Sequence, residues 1–424
     1  MQTHLAPQFQ GTPEGDAAQA ILRKCVHCGF CTATCPTYQL LGDELDGPRG
    51  RIYLMKQVLE GAAITRSTQL HLDRCLTCRS CETTCPSGVE YGALIEIVRP
   101  IVDDLVERPA REKAVRWLLK EGLTSPLFSV AIKAGQALRP LVPASLKDKV
   151  PARPPARAHH WPVRVHARKV LMLMGCVQPS LMPNINSATA RVLDAAGIQT
   201  VVADEAGCCG AIRTHLNDTE GGLADMRRNV DAWWPLVSGG AGSVKGVEAI
   251  VMNASGCGVA VKGYGHALAG DPAYADKAKC IADLARDLSE LLPDLVPKLK
   301  NKVRLRGNAR HGGHRVPTRL AFHPPCTLQH GQQLRGGVEA HLRELGFDVH
   351  LAPSESHLCC GSAGTYSVLQ PELAYALRDR KLANLVPLEA QAIVSANIGC
   401  IQHLQSGTAT PVKHWIEIVD EAIA

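Results

Sequence analysis

The sequence predicts an α+β protein of several domains, in which a mainly α-helical N-terminal part precedes two duplicated α/β domains. Three observations support this fold class: two cysteine runs near the N-terminus, a basic proline-rich stretch, and a strand–helix–cysteine pattern that occurs twice in the second half. With 424 residues the chain exceeds one ordinary hydrophobic core, so we expect about three domains.

The two cysteine runs share the form Cys-x2-Cys-x2-Cys-x3-Cys-Pro. This spacing is typical of proteins with two [4Fe–4S] clusters, in which three cysteines of a run bind one cluster and the fourth binds its neighbour. The predicted ligands of the first cluster are Cys25, Cys28, Cys31 and Cys85. The predicted ligands of the second cluster are Cys75, Cys78, Cys81 and Cys35.

Zinc is the alternative occupant, because it also binds four thiolates and C-x2-C pairs. Zinc needs neither a third cysteine at this interval nor a following proline, so the clusters are the preferred interpretation. The N-terminus lacks the basic and apolar segments of a secretory signal. The 17 cysteines are therefore expected in a reducing, cytoplasmic location, and no apolar run is long enough to span a membrane.

The net charge of +6 is distributed unevenly along the chain. Residues 108–169 contain 14 Lys or Arg and three acidic residues, a local charge of +11 that leaves −5 for the remainder. With its eight prolines, the segment 108–168 is predicted to be a basic, helical and Pro-rich linker.

Residues 298–318 form a second basic segment, predicted to be a loop around Gly312 and Gly313. The basic segments are either solvated linkers or surfaces for an anionic membrane or an acidic partner. Nucleic acid is not an expected partner, because aromatic residues do not alternate with the basic ones.

An internal repeat covers 169–297 and 319–424. Each unit starts with an apolar strand that ends in a cysteine, predicted at 170–176 and 319–326, followed by a helix at 188–197 and 338–346. The second strands are predicted at 200–203 and 348–351, and the third at 249–252 and 392–394. Strands that alternate with helices predict a parallel sheet in each unit.

Four cysteines follow the predicted strands of each unit. They are Cys176, Cys208, Cys209 and Cys257 in the first, and Cys326, Cys359, Cys360 and Cys400 in the second. Because α/β folds build their sites at the carboxyl ends of strands, each unit is expected to bring its four thiols together. Buried structural cysteines are the alternative, and Cys280, which has no counterpart, is expected to be inert.

This arrangement resembles the cysteine-rich "CCG" electron-transfer subunits, which include those of heterodisulfide reductase, anaerobic glycerol-3-phosphate dehydrogenase and glycolate oxidase. The iron–sulfur subunits of glycolate oxidases are the most similar, through 25–36, 47–52, 231–234, 326–330 and 414–419. The resemblance implies a helical two-cluster ferredoxin-type domain over 1–107 and CCG domains over 169–297 and 319–424.

The resemblance implies that substrate oxidation takes place on partner chains and that no residue of this chain is catalytic. Clusters pass single electrons, and the sequence has no Gly-x-Gly-x-x-Gly motif, so FAD on a partner is expected to oxidise the substrate. The implied partners are two flavoprotein-type glycolate oxidase subunits that oxidise glycolate, and often D-lactate. Electrons would leave toward a quinone or another membrane acceptor, from a peripheral position on the cytoplasmic face of the inner membrane.

Relatives that assemble a noncubane cluster carry a fifth cysteine three residues after the last cysteine of the repeat. Ala260 and His403 occupy that position here, and only histidine can bind iron or zinc. The second unit also has His323, three residues before Cys326. A third iron–sulfur or zinc centre is therefore predicted in the second unit, with the candidate ligands Cys326, Cys359, Cys360, Cys400 and His403.

Three other functions are compatible with the motifs. In the first, the chain is the equivalent subunit of a glycerol-3-phosphate or D-lactate dehydrogenase. In the second, it is a heterodisulfide-reductase-like catalytic subunit that receives electrons from its ferredoxin-type part. In the third, zinc stabilises a scaffold that holds partner proteins together.

Overall fold

The computed structural model describes residues 1–125, 127–141, 156–238, 247–305, 310–311 and 314–424. The later part of the predicted Pro-rich linker, 142–155, lies outside the described residues, as do Gly312 and Gly313. The predicted fold class is confirmed, because a helical N-terminal part precedes two parallel four-stranded sheets.

Short helices build the N-terminal part. They are Pro13–Lys24, Pro36–Leu41, Pro48–Leu59, Arg66–Asp73, Ser80–Thr84 and Tyr91–Leu105. Three of them begin with proline, whose missing N–H would have no partner in a first helical turn in any case. Their apolar faces meet in one core that includes Leu22, Met55 and Leu94.

Two helices, Ala110–Thr124 and Leu127–Leu138, occupy the first part of the predicted basic linker. Their apolar side chains remain largely exposed, including Trp117, Leu118 and Leu127. This pair of helices therefore presents an apolar surface with basic residues around it.

The first α/β unit contains a parallel sheet in the order β2-β1-β3-β4. Its strands are β1 (Arg168–Met172), β2 (Ile198–Val201), β3 (Val247–Met252) and β4 (Ala285–Asp287). The helices of this unit are Gln178–Leu181, Pro183–Ala195, Ala211–His215, Thr219–Val237, Ser255–Lys262, Tyr264–Ala267, Ala275–Leu284 and Leu292–Leu299.

The second unit repeats this topology. After a short hairpin of β5 (Arg310–His311) and β6 (His314–Arg315), its sheet contains β7 (Arg319–Phe322), β8 (Asp348–Leu351), β9 (Ala392–Ser395) and β10 (Val412–His414). The order β10-β9-β7-β8 is that of the first sheet read from the other edge. The helices are Gly337–Glu344, Tyr366–Leu369, Pro371–Leu385, Ile398–Gln405 and Trp415–Ile423, with a π-helical turn at Thr327–Gly331.

The two units share one hydrophobic core. It includes Val170 and Ile185 of the first unit together with Leu320 and Ile416 of the second. Polar contacts add to this interface, such as the hydroxyl pair of Ser255 and Thr327 at 2.7 Å. The repeat therefore folds as one packed body.

Candidate metal centres

The two cysteine runs fold into loops with matching backbone conformations. His27 and Thr77, which precede the second cysteine of each run, have φ values of 57° and 51°. Gly29 and Arg79, which follow that cysteine, have φ values of 86° and 58°. A left-handed backbone is costly for side chains with a Cβ, so the surrounding structure must hold these loops in shape.

The first loop lines a cavity near the protein surface. The cysteines on its wall are Cys25, Cys28, Cys31, Cys85 and Cys81. The four ligands predicted for the first cluster therefore lie together. Cys28 is exposed, and burial raises the pKa of Cys31 to about 11.

The second loop lines a second, small cavity. The cysteines on its wall are Cys35, Cys75, Cys78 and Cys81, and all except Cys78 are buried. The Thr77 N–H donates a hydrogen bond to Cys75 Sγ at 3.4 Å, and the Tyr91 hydroxyl donates to the same sulfur at 3.6 Å. The ligand set predicted for the second cluster is thus also brought together.

A buried guanidinium lies beside the second cavity. Arg51 lines it and donates to the His71 carbonyl at 2.7 Å and to Asp46 Oδ1 at 3.3 Å. Burial alone would lower the pKa of Arg51, but nearby groups, with Cys75 first among them, raise it. A fixed positive charge at this position favours bound thiolates and the added electron of a reduced cluster.

The donor sets of both cavities fit a [4Fe–4S] cluster. The ligand set predicted for each cavity contains four thiols, of which one comes from the other cysteine run, as in two-cluster ferredoxins. Cys81 lines both cavities. Hydrogen bonds to sulfur and apolar walls are also expected around such clusters. Four thiols would accommodate zinc too, so the identity of the metal stays a prediction.

The Cys-Cys-Gly turns of the two α/β units require glycine for a steric reason. Gly210 and Gly361 have φ values of 90° and 91°. A Cβ on Gly210 would lie 2.9 Å from the Gly222 carbonyl oxygen, and one on Gly361 would lie 2.4 Å from that of Ala374. Only glycine lets these turns present two adjacent thiols so close to the following helix.

The first unit brings its four cysteines into contact. Interactions with the Cys176 and Cys209 thiols lower the pKa of Cys208. The pKa of Cys209 is raised by its neighbours, which include Cys208 and Cys257, and by burial. A tyrosine lies beside these cysteines, and its hydroxyl (Tyr264) donates a hydrogen bond to the Cys209 carbonyl at 3.1 Å.

The second unit brings together its four cysteines and one histidine. The sulfurs of Cys326 and Cys359 lie 3.8 Å apart, and the Cys360 thiol interacts with those of Cys359 and Cys400. The ligand atoms of His323, Cys360 and Cys400 lie within 4.8 Å of one another. All of these side chains are buried.

His403 lies outside this group in the described part of the chain. Its Nε2 is 3.0 Å from the Ala374 carbonyl oxygen, and its ring stacks on Tyr375 at 5.7 Å between centroids. The placement gives no support to the predicted ligand role of His403. The sequence signal for a histidine near the cysteines is instead the position of His323 directly after β7, because α/β folds build their sites at the carboxyl ends of strands.

The second unit contacts the second cysteine loop directly. Cys78 and Leu76 pack in one apolar cluster with Cys326 and Cys359. The Tyr366 hydroxyl adds a hydrogen bond to the Arg74 carbonyl at 3.0 Å. The second cavity and the thiols of the second unit are therefore neighbours.

Comparison with protein-family models identifies the same segments. A "4Fe-4S dicluster domain" model matches residues 21–89, and a "Cysteine-rich domain" model matches residues 170–262 and 320–405. Each match includes the cysteines of the corresponding cavity or thiol group.

Relatives with known names align over long stretches. The "Glycolate oxidase iron-sulfur subunit" of Escherichia coli K12 is 53% identical over 424 residues, which cover 100% of this chain and 99% of the relative. The "Probable glycolate oxidase iron-sulfur subunit" of Bacillus subtilis 168 is 30% identical, and the alignment covers 91% of this chain and 89% of the relative. The "Lactate utilization protein A" of Geobacillus thermodenitrificans is 23% identical over 59% of this chain and 98% of its own length.

Proposed function

Because this chain belongs to the family of glycolate oxidase iron–sulfur subunits, we propose that it carries electrons within a glycolate-oxidising complex. The observation that carries this proposal is the pair of adjacent cavities, each lined by the four thiols predicted to bind one cluster. One cavity lies at the surface and the other against the second α/β unit. Iron–sulfur clusters bound there would form a path for single electrons from the surface to the interior.

The proposed ligand sets are crossed between the two cysteine runs. Cys85→Ser is expected to abolish the cluster of Cys25, Cys28 and Cys31, and to leave the cluster of Cys75 intact. Electron paramagnetic resonance (EPR) of the reduced variant measures this, and Cys280→Ser provides a control outside both sites. Loss of the Cys75 cluster alone in Cys85→Ser would contradict the crossing.

The oxidation of glycolate to glyoxylate removes two electrons, which a flavin accepts together and passes on singly. We assign that step to FAD on two flavoprotein-type partner subunits. The residues of this chain would hold the clusters, exclude water from the second one, and set its electrostatic environment through Arg51. A quinone or another membrane acceptor would receive the electrons.

The surface around the first cavity is the proposed docking site for an electron-transfer partner. Cys28 is exposed there, and the side chains of Val26 and Phe30 are 67% and 60% exposed. Apolar side chains beside an exposed cluster ligand favour a partner that excludes water from the contact. Phe30→Ser should slow electron exchange with the partner and leave the EPR signals of both clusters unchanged.

Among the described residues, no helix combines the length and the apolarity needed to cross a bilayer. We propose peripheral attachment to the cytoplasmic face of the inner membrane through the helices Ala110–Thr124 and Leu127–Leu138. They expose Trp117 and Leu127 next to basic residues, as interfacial helices do. Each Lys or Arg near an anionic surface contributes about 1 kcal/mol, and salt screens this contribution.

Vesicle flotation tests this attachment with phosphatidylglycerol–phosphatidylethanolamine vesicles. Binding should weaken at high salt and in the double variant Trp117→Ser, Leu127→Ser. Vesicles of neutral phosphatidylcholine should bind less. Equal binding to both vesicle types at all salt concentrations would contradict an electrostatic contribution.

Purification of the native complex through a tag on this chain, under anaerobic conditions, tests the function as a whole. Flavoprotein chains should co-purify, and glycolate should reduce the clusters. Reduction of the clusters by sn-glycerol 3-phosphate but not by glycolate would instead identify the chain as a subunit of a glycerol-3-phosphate dehydrogenase. A complex without any flavin would contradict the proposal.

D-lactate is the second candidate substrate of the complex. A lactate substrate is favoured by the alignment with the "Lactate utilization protein A" of Geobacillus thermodenitrificans over 98% of its own length. A heterodisulfide-reductase-like role would require disulfide reduction at the second unit. Turnover of a disulfide substrate by the complex with all flavin removed would support that role instead.

A further inference from the structure

We propose that a buried ion group, formed by Asp46, Arg51 and Arg74, makes the second cluster a stronger electron acceptor than the first. Electrons that enter at the surface would then pass inward, from the first cluster to the second. This inference rests on the proposed function, because it concerns the two clusters of that electron path. It adds the residues that give the path its direction.

The carboxylate of Asp46 is the centre of the ion group, and its side chain is 0% exposed. Its Oδ2 accepts a hydrogen bond from Arg74 Nη1 at 2.8 Å, and its Oδ1 accepts one from Arg51 Nη2 at 3.3 Å. The Nδ1 atom of His71 lies 3.1 Å from the same Oδ1. Guanidinium groups keep their charge in proteins, so two of them and one carboxylate leave a net charge of +1.

The ion group contacts two predicted ligands of the second cluster. Arg51 Nη1 donates a hydrogen bond to the Thr37 hydroxyl at 3.1 Å, and that hydroxyl lies 3.3 Å from Cys35 Sγ. The charge of Arg51 also interacts with Cys75 and Cys35, which come from different cysteine runs. Arg74 directly precedes Cys75 in the chain. The net positive charge therefore lies beside the thiolates that would hold the cluster.

A further buried guanidinium lies on the other side of this segment. The Nη2 atom of Arg99 donates hydrogen bonds to the carbonyls of Leu72 and Cys75, at 2.5 and 2.7 Å. Arg99 is 9% exposed. Carbonyl groups are neutral, so these contacts fix the position of the cation without cancelling its charge.

The first cavity provides an internal comparison, because a second arginine of the same helix lines it. Arg49 and Arg51 both belong to helix Pro48–Leu59, and residues two apart on a helix point in nearly opposite directions. Arg49 lines the first cavity and donates from Nε to Glu44 Oε1 at 2.6 Å. Their side chains are 37% and 42% exposed. This pair has no net charge, and water screens both of its ions.

Reduction adds one negative charge to a cluster, and two opposing effects decide how readily the second cluster accepts it. Burial alone disfavours the added charge. A net positive charge in the same buried surroundings attracts the electron with little screening by water. The hydrogen bonds of the Thr77 N–H and the Tyr91 hydroxyl to Cys75 Sγ act in the same direction, since they stabilise negative charge on sulfur. We therefore expect the second cluster to have the higher reduction potential.

An anaerobic redox titration of the full chain, with dithionite and chemical mediators, tests the proposal. EPR follows the two cluster signals, and Cys85→Ser, which should keep only the second cluster, assigns them. In the wild type the second cluster should be reduced at the higher potential. Arg51→Met should lower the equilibrium constant for reduction of the second cluster about tenfold or more, which equals about 59 mV for one electron.

Asp46→Asn should shift the potential of the second cluster upward, because it removes the negative charge and keeps a side-chain oxygen for the two arginines. Arg51→Lys should retain most of the wild-type potential, since it keeps the positive charge. Arg49→Met is the matched control, and it should leave the equilibrium constant of the second cluster within about twofold of the wild type. A role of the ion group in folding alone would not produce shifts of opposite sign.

The inference is wrong if the first cluster has the higher potential in the wild type, or if Arg51→Met and Asp46→Asn shift the second cluster in the same direction. Equal shifts of that cluster in Arg49→Met and Arg51→Met would also contradict it. If Arg51→Met does not fold, Arg74→Gln takes its place with a smaller downward shift, since that side chain is 28% exposed. The outcome is separable from that of the proposed function, because dithionite reduces the clusters without glycolate or a partner.

Discussion

The two α/β units have the same strand order and the same four cysteines, but they surround those cysteines differently. In the first unit Cys176 and Cys257 are partly exposed, and a leucine stands where the second unit has His323. In the second unit all four cysteines are buried. The comparison teaches that one backbone can surround four converging thiols with different side chains and expose them to different extents.

The units also contact the ferredoxin-type part differently. The first unit contacts it through polar pairs, such as Asn217 Nδ2 to Asp103 Oδ2 at 2.7 Å. The second unit packs its cysteines against Leu76 and Cys78 of the second cluster loop. Only the second contact places two sets of candidate ligands side by side.

The largest expected difference between the units concerns electron flow. Cys360→Ser should lower glycolate-dependent reduction of the terminal acceptor about 100-fold or more, equivalent to about 3 kcal/mol. Cys209→Ser, at the same position of the first unit, should change it less than about 3-fold. Steady-state assays of the purified complex measure both, and equal losses in the two variants would make the units functionally equivalent.

The Cys-Cys-Gly turns should differ in their sensitivity to an added methyl group. Gly361→Ala is expected to lower the free energy of unfolding by about 2–4 kcal/mol, through positive φ and overlap with the Ala374 carbonyl. Gly210→Ala should cost about 1–3 kcal/mol, because its nearest carbonyl is farther away. Gly337→Ala is the control, since a Cβ there meets no atom within 4 Å.

Denaturant unfolding followed by circular dichroism measures these differences. A loss below about 0.5 kcal/mol for Gly361→Ala would mean that the turn relaxes without strain. The steric account of the motif would then be wrong for the second unit.

The contact between the second unit and the ferredoxin-type part should weaken in acid through His330. Its Nε2–H donates to the His357 carbonyl at 2.9 Å, and its Nδ1 faces the Thr83 hydroxyl at 2.9 Å and Arg335. Burial lowers the pKa of His330 to about 4. The neutral ring therefore stabilises the fold above pH 6.5, and this stability is lost as the pH falls from 6.5 toward 4.

Between pH 7 and pH 5 the loss is expected to reach about 1–2 kcal/mol. His330→Gln should lose less stability over the same interval, because glutamine does not titrate. Thermal unfolding at several pH values measures this difference. An identical pH dependence in the wild type and in His330→Gln would exclude His330 as the cause.

The smallest effect is expected from the buried cation of the second unit. If the cysteines of the second unit hold the predicted iron–sulfur centre, Lys381→Met should lower its reduction potential, because the change removes a positive charge that favours the added electron. A change of about 1.4 kcal/mol corresponds to roughly 60 mV for one electron. Lys381→Arg should restore the potential in a redox titration, and an unchanged potential in Lys381→Met would place the centre away from Lys381.

Much of this architecture was predictable because its signals are local in the sequence. The strand β8 lies at the predicted residues, and β7 forms the first half of the predicted stretch 319–326, which ends early at two prolines. The Cys-Pro runs indicate which thiols belong together. The strands β4 and β10 were not predicted, since each has only three residues and no apolar alternation. Strand formation there depends on pairing with a neighbour rather than on the residues themselves.

The surroundings of the candidate site depend on contacts between distant segments. No spacing rule could show that Cys78 packs against Cys326, or that Lys381 lies beside the thiols. The prediction of His403 relied on its distance from Cys400 in the sequence. In the folded chain that ring is hydrogen-bonded to Ala374, and His323 from another strand lies near the cysteines instead.

Rapid mixing of the anaerobic complex with glycolate, followed by freezing and EPR, tests the central claim most directly. The account predicts that signals of the reduced clusters appear within one turnover and that Cys85→Ser prevents their reduction by substrate while the flavin is still reduced. Clusters that stay oxidised throughout turnover, while glycolate is consumed at the full rate, would contradict the claim that this chain carries the electrons.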